Sequence, residues 1–203
     1  MTIKTAAQAL ALVKRHGVVT LAAHIEGVPC FVEAVTGEPV RGSWWGHPRG
    51  KLIFALAEGL DDSSEVLTLK LLEGKATFVD RALWPVLLAV VLDDQWRAAR
   101  VKKLSAAGKA LLKKVEASSR RGEAPGPVKE LEASLLVHCA SEHTEKGRHE
   151  KRLTAWADWA KARSIAPAKL EVDADLNLVS LSPRGGEGDQ IQVCGHLEPG
   201  RND

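Results

Sequence analysis

The chain reads as an α+β protein, mostly helical with small β-hairpins. Apolar residues recur at three- and four-residue intervals in several stretches, each bounded by glycine, proline or a capping side chain. Between residues 66 and 79 the pattern changes to strand character around a Glu73-Gly74 turn, which signals a hairpin. The 203 residues, 45% hydrophobic and 27% charged, suffice for the core of one globular unit with a small appendage.

Taken in order, residues 5–16 place Ala6, Leu10 and Val13 on one helical face, and Gly17 supplies the stop. A short second helix over 29–35 carries Phe31, Val32 and Val35 inward and closes at Gly37. The third, over 48–60, opens on a proline whose missing amide would be unpaired there anyway, with Ile53, Leu56, Ala57 and Leu60 as its buried stripe. Asp61-Asp62-Ser63-Ser64 ends it, and the hairpin of 66–72 and 75–79 follows. Further helices are predicted over 82–93, over 106–119 behind a Ser105 cap, from Pro127 with Leu131, Leu135 and Leu136, and over 148–163 with Leu153, Trp156, Trp159 and Ala160. Residues 169–181 alternate as a small hairpin, and the Gly/Pro/Asp-rich 183–203 read as a flexible tail.

Composition removes several classes. The longest apolar run, 85–92, is far short of the ~20 residues a membrane helix needs, so no membrane partner is expected. The N-terminus lacks the features of a secretory signal. Cys30, Cys139 and Cys194 are odd in number and widely spaced, and so read as reduced thiols of a cytoplasmic protein. The formal net charge of +2 hides a polarity: residues 1–100 carry eleven basic and eleven acidic side chains, 101–163 carry fourteen and eight, and 164–203 carry three and seven. The middle third is the basic part. No cofactor motif is present, and no cofactor is expected.

Three helices followed by a hairpin is the order of a winged-helix module, whose third helix faces DNA while the hairpin lies beside it as a wing. The expected organisation is therefore a winged-helix-like module over 1–84, a helical extension packed on it over 85–165, a short hairpin over 166–182 and the tail. The stretch Arg41-Gly42-Ser43-Trp44-Trp45-Gly46-His47-Pro48-Arg49-Gly50-Lys51 enters the third helix, and Phe78-Val79-Asp80-Arg81-Ala82-Leu83-Trp84-Pro85 leaves the hairpin. Residues 41–85 resemble the winged-helix part of a family of bacterial DNA glycosylases that act on alkylated or crosslinked DNA. In that family too a Trp-Trp pair enters a Lys-containing helix. Its Gln-apolar-Gln catalytic element has one counterpart here, Gln190-Ile191-Gln192, in the tail and on the wrong side of the module. The resemblance implies an architecture, a DNA-facing surface and a link to DNA repair, not glycosylase activity.

Arg41, Arg49 and Lys51 surround a helix N-terminus, where free amides and the helix dipole add to the attraction for phosphate. His47 lies within the same segment, and Lys70 and Lys75 add charge from the hairpin. Trp44 and Trp45 are suited to stacking on an unpaired base, and on an extended segment they would point to opposite sides, one buried and one exposed. Arg148, Lys151 and Arg152, followed by Trp156 and Trp159, read as a basic helix with aromatic residues at core spacing.

The densest chemistry-capable segment runs from His138 to Glu150. On a continuous helix Cys139 and His143 share a face, as do Glu142 and His149, and imidazole, thiolate and carboxylate are zinc ligands. No paired metal-ligand spacing appears, and Cys139 beside an apolar run reads as a small buried hydrophobe. The expected function is thus nucleic-acid binding, with DNA as partner. A metal-assisted hydrolase centred on His138, Glu142, His143, His149 and Glu150 is the alternative from another class, and a protein-interaction scaffold using exposed Trp residues is a third.

Overall fold

The computed structural model describes residues 2–122, 125–143, 149–173, 178–182 and 191–193. Helix α1 (Ala6–His16) begins where Thr5 Oγ1 accepts a hydrogen bond from the Gln8 amide and ends at Gly17, which takes a φ of 71°. Side chains disfavour that left-handed turn, which is why glycine occupies it. Strand β1 (Val18–Thr20) follows, then α2 (Phe31–Thr36), α3 (Gly50–Asp61) and the hairpin of β2 (Val66–Leu72) and β3 (Lys75–Asp80). The strands form an antiparallel sheet in the order β1-β3-β2, with Phe78 opposite both Val19 and Thr68. Val13, Phe31, Val35 and Ile53 close a core on this sheet, where Phe31 meets Phe78 edge-on at 5.4 Å.

Beyond the hairpin lie α4 (Trp84–Val91), α5 (Asp94–Lys103), α6 (Ala106–Ala117), the two-residue β4 (Arg120–Arg121) and α7 (Pro125–Ala133). A second hairpin, β5 (His138–His143) and β6 (His149–Thr154), joins β4 in a sheet of order β4-β6-β5, and α8 (Trp156–Ala162) follows. Leu67, Leu69 and Val79 of the first sheet share one apolar cluster with Trp84, Leu88, Trp156 and Trp159. Leu112, Val115, Leu131, Leu136 and Leu153 make another beneath α6 and α7. Among the described residues, no helix is long and apolar enough to cross a membrane.

The α+β class stands as the sequence predicts. Several elements differ. The helix expected over 148–163 is strand β6 followed by α8, and the segment from His138 is strand, so the stretch after α4 is not purely helical. Helix α5 was not anticipated, although Asp93 caps it by accepting from the Trp96 amide at 2.7 Å. Strand β1 was missed as well. The small hairpin is present as β7 (Lys169–Asp173) and β8 (Leu178–Ser182), but β9 (Ile191–Val193), within the expected tail, adds a third strand beside β8. The rest of 183–203, Cys194 included, lies outside the described residues.

Candidate nucleic-acid interface

The entry to α3 is built by local hydrogen bonding. Trp44–Gly46 form a single 3-10 turn, closed by the His47 amide donating to the Trp44 carbonyl at 3.0 Å. The Gly50 amide donates to the His47 carbonyl at 2.7 Å, and His47 Nδ1 accepts from the Arg49 amide at 3.1 Å. A Cβ on Gly50 would stand 2.9 Å from the Trp45 carbonyl oxygen and 3.2 Å from that of Trp44, so glycine lets the turn sit against the helix.

This turn decides the tryptophan geometry. The expected extended segment with opposed side chains is not formed: the rings of Trp44 and Trp45 stack on each other, centroids 4.2 Å apart and planes 21° apart. Trp44 packs partly into the first core. Trp45 is 64% exposed and touches Phe54, itself 43% exposed, at 5.5 Å. These are the two exposed large apolar residues among the described ones, and they adjoin each other. Lys51 lies one turn before Phe54 and is exposed, as are Arg41 and, on the hairpin, Lys75. No partner is seen for these three cations among the described residues.

Other predicted contacts are engaged elsewhere. Arg49 turns back onto α2, its Nη1 donating to the Val35 carbonyl at 2.6 Å and to that of Thr36 at 3.4 Å. A guanidinium there neutralises the negative end of the helix and ties α2 to α3, which makes Arg49 a positioning residue. Lys70 pairs with Glu132 of α7 at 3.1 Å, and Lys151 pairs with the same carboxylate at 3.0 Å. Arg152 lies on β6, paired in register with Ala140 and Arg121, while Arg148 lies outside the described residues. The basic helix expected from Arg148 to Trp159 is therefore not formed, and Trp156 and Trp159 are core residues at 1% and 2% exposure.

A second polar region lies where β2 faces α7, β5 and α8. It is a cavity of about 470 Å³, with Thr68, Lys70, Glu132, His138, Lys151 and Arg163 in its wall. Burial alone would push the Glu132 carboxyl up; hydrogen bonds and charge from Lys151 and Lys70 outweigh this and hold it below its usual range. His138, packed against Trp156 and Trp159, is pushed down to about 3 by burial first and then by the charges of Arg163 and Lys151. The Cys139 thiol is pushed up to about 11, again by burial first and then by Glu132.

These shifts matter for the hydrolase alternative. A general base works best with a pKa near the operating pH, and a cysteine nucleophile needs its thiolate; both groups are displaced away from those conditions. The strand also separates the residues that a helix would have grouped. Cys139 and His143 are four residues apart along the strand, about 13 Å at strand rise, while the register sets Glu142 opposite Glu150 and His143 opposite His149. Among the described residues, no group of three or more His, Cys, Asp or Glu is placed to hold a metal ion.

Sequence reasoning missed Phe54 and Glu132. Phe54 had a signal: in α3 it is a large aromatic residue beside, not on, the stripe of Ile53, Leu56 and Leu60. Glu132 had none, because its two lysines come from strands 62 residues before it and 19 after it in the chain. No protein-family model, curated protein or solved structure matches the chain.

Proposed function

We propose that this chain binds nucleic acid, with DNA as partner, through the Trp44–Trp45–Phe54 cluster and the cations beside it. The single observation that carries this reading is the pairing of the two exposed large apolar side chains, Trp45 and Phe54, at the start of α3. An exposed aromatic face is costly in water and is suited to stacking on a base. Lys51 and Arg41 supply attraction for phosphate next to it. The element order, helix-strand-helix-helix-hairpin with a three-stranded sheet, supports the winged-helix interpretation of residues 1–84. Stacking needs an accessible base, so single-stranded, branched or distorted sites are preferred over regular duplex, in keeping with a role in DNA repair.

Fluorescence anisotropy with single-stranded, duplex and branched DNA at two salt concentrations tests this. Trp45→Ala and Phe54→Ala each weaken binding roughly 5- to 150-fold, from the 1–3 kcal/mol that one base–aromatic stack contributes. Lys51→Glu weakens binding most at low salt. Arg49 is left intact, because its loss would disturb α2. Absence of binding by the unaltered protein at low salt rejects the reading, and leaves the aromatic pair as a surface for a protein partner.

A further inference from the structure

Helices α5 and α6 present a strongly basic surface remote in sequence from the aromatic cluster. Residues 94–121 hold nine Lys and Arg against two acids, Asp94 and Glu116. Of these, Arg97 is turned inward, donating to the Val91 and Leu136 carbonyls at 3.3 and 3.4 Å and pairing with Glu116 at 2.6 Å. That contact removes one of the two acids from the surface balance. The Arg100 guanidinium lies over the Trp96 ring, its central carbon 3.6 Å from the ring centroid.

The outer face of α6 is more regular. Gly108, Leu112 and Val115 are buried, while Ala106, Lys109, Ala110, Lys113, Lys114 and Ala117 face water. Lys109 and Lys113 lie one turn apart, and the alanines between them are too short to shield the ammonium groups. Glu130 accepts from the Ser105 amide and hydroxyl at 2.6 and 2.7 Å, and its charge is also felt by Lys109.

We propose that the outer surface of α5 and α6 binds the phosphate backbone of a duplex. This rests on the nucleic-acid reading above and adds a second contact surface to it. Like charges gathered on one face repel one another and destabilise the fold, a cost that a bound polyanion offsets. The chemistry favours nucleic acid over an acidic protein. Protein interfaces are anchored by buried aromatic and apolar side chains, whereas the exposed residues of this face are chiefly lysines, alanines and short polar side chains, with Trp96 covered by Arg100. Such a surface holds phosphates through counterion release and carries no base readout.

The test measures binding of the full chain to a branched DNA with random-sequence duplex arms across a salt series, comparing the unaltered protein, Trp45→Ala, and the double variant Lys109→Gln/Lys113→Gln. All three sites are exposed, and circular dichroism checks that the helices persist. Each phosphate contact contributes about 0.9 to the slope of log affinity against log salt, so the double variant should lose about 2 from that slope. Trp45→Ala should lower affinity with the slope unchanged. If the unaltered protein binds and Trp45→Ala weakens it while the double variant keeps both slope and affinity, the basic surface is overturned and the aromatic reading stands. If the unaltered protein does not bind at low salt, both fall.

Discussion

His138 is a histidine kept neutral by its surroundings. Two tryptophans flank it, Arg163 and Lys151 lie nearby, and its folded pKa is about 3 against an ordinary 6.5. The linkage to stability has a definite sign. Below about pH 6.5 the unfolded chain takes up a proton that the folded chain refuses, so this contribution is complete above 6.5 and is lost progressively as pH falls toward 3. Between pH 7.5 and 5 the loss amounts to about 2 kcal/mol. Glu132 also has a depressed folded pKa, but its contribution is lost only as the pH falls below its ordinary value of 4.5, so pH 5 separates the two. Urea unfolding of His138→Leu at both pH values should show a pH difference about 2 kcal/mol smaller than in the unaltered protein. An unchanged difference would show that His138 is not held neutral. The same reasoning explains why a sequence rich in His, Cys and Glu need not be a catalytic one: burial moves these groups away from the proton affinities that catalysis requires.

At the scale of elements, the 3-10 turn and α3 act as one unit because Gly50 lets two carbonyls approach it. Gly50→Ala favours the helix by propensity, by up to about 1 kcal/mol at an interior position. Against that, the new methyl meets backbone oxygen at 2.9 Å, and backbone cannot swing aside as a side-chain end can. Overpacking of this kind costs about 1–3 kcal/mol, so the variant should be destabilised in thermal unfolding and bind DNA more weakly, even though Gly50 itself is buried. Stabilisation with unimpaired binding would show that the turn is not held by this approach. Elements α1, α2, α3 and the first hairpin were legible because each carries its own periodicity and its own stop. Strand β1 was not, since three residues contain no period and it exists only through pairing with β3, some 60 positions away. Strands β5 and β6 were misread because their charged and apolar residues also satisfy helical spacing, and only their pairing decides between the two. The tryptophan pair was legible as a feature and misplaced in geometry: the 3-10 turn depends on hydrogen bonds from His47 and Gly50, which spacing does not reveal.

The whole molecule is held together by tryptophan. Trp84 leaves the first hairpin with its Nε1 donating to the Val79 carbonyl at 3.3 Å, and its ring meets Trp159 of α8 edge-on at 5.2 Å. Trp156 meets Trp159 at 5.5 Å, and its own Nε1 donates to the Leu135 carbonyl at 2.7 Å, where Leu135 takes a positive φ of 54°. The Leu67, Leu69 and Val79 side chains of the first sheet pack into this cluster, while Val19, Val66 and Phe78 on the other face pack into the first core, so the sheet is sandwiched between two cores. Four of the six tryptophans, Trp84, Trp96, Trp156 and Trp159, are spent on this junction, which leaves Trp44 and Trp45 for the surface. A joint of this kind makes the two halves stabilise each other. Trp156→Ala removes a fully buried ring and leaves a buried carbonyl without its donor, at a cost of about 3–5 kcal/mol. Because the joint is shared, hydrogen exchange in β2 and β3 should quicken together with that in α8, and fluorescence and circular dichroism should follow one unfolding transition. Amides of the first sheet that keep their protection while α8 loses its own would show that the halves fold independently, and that the contacts between them are too weak to couple the two proposed binding surfaces.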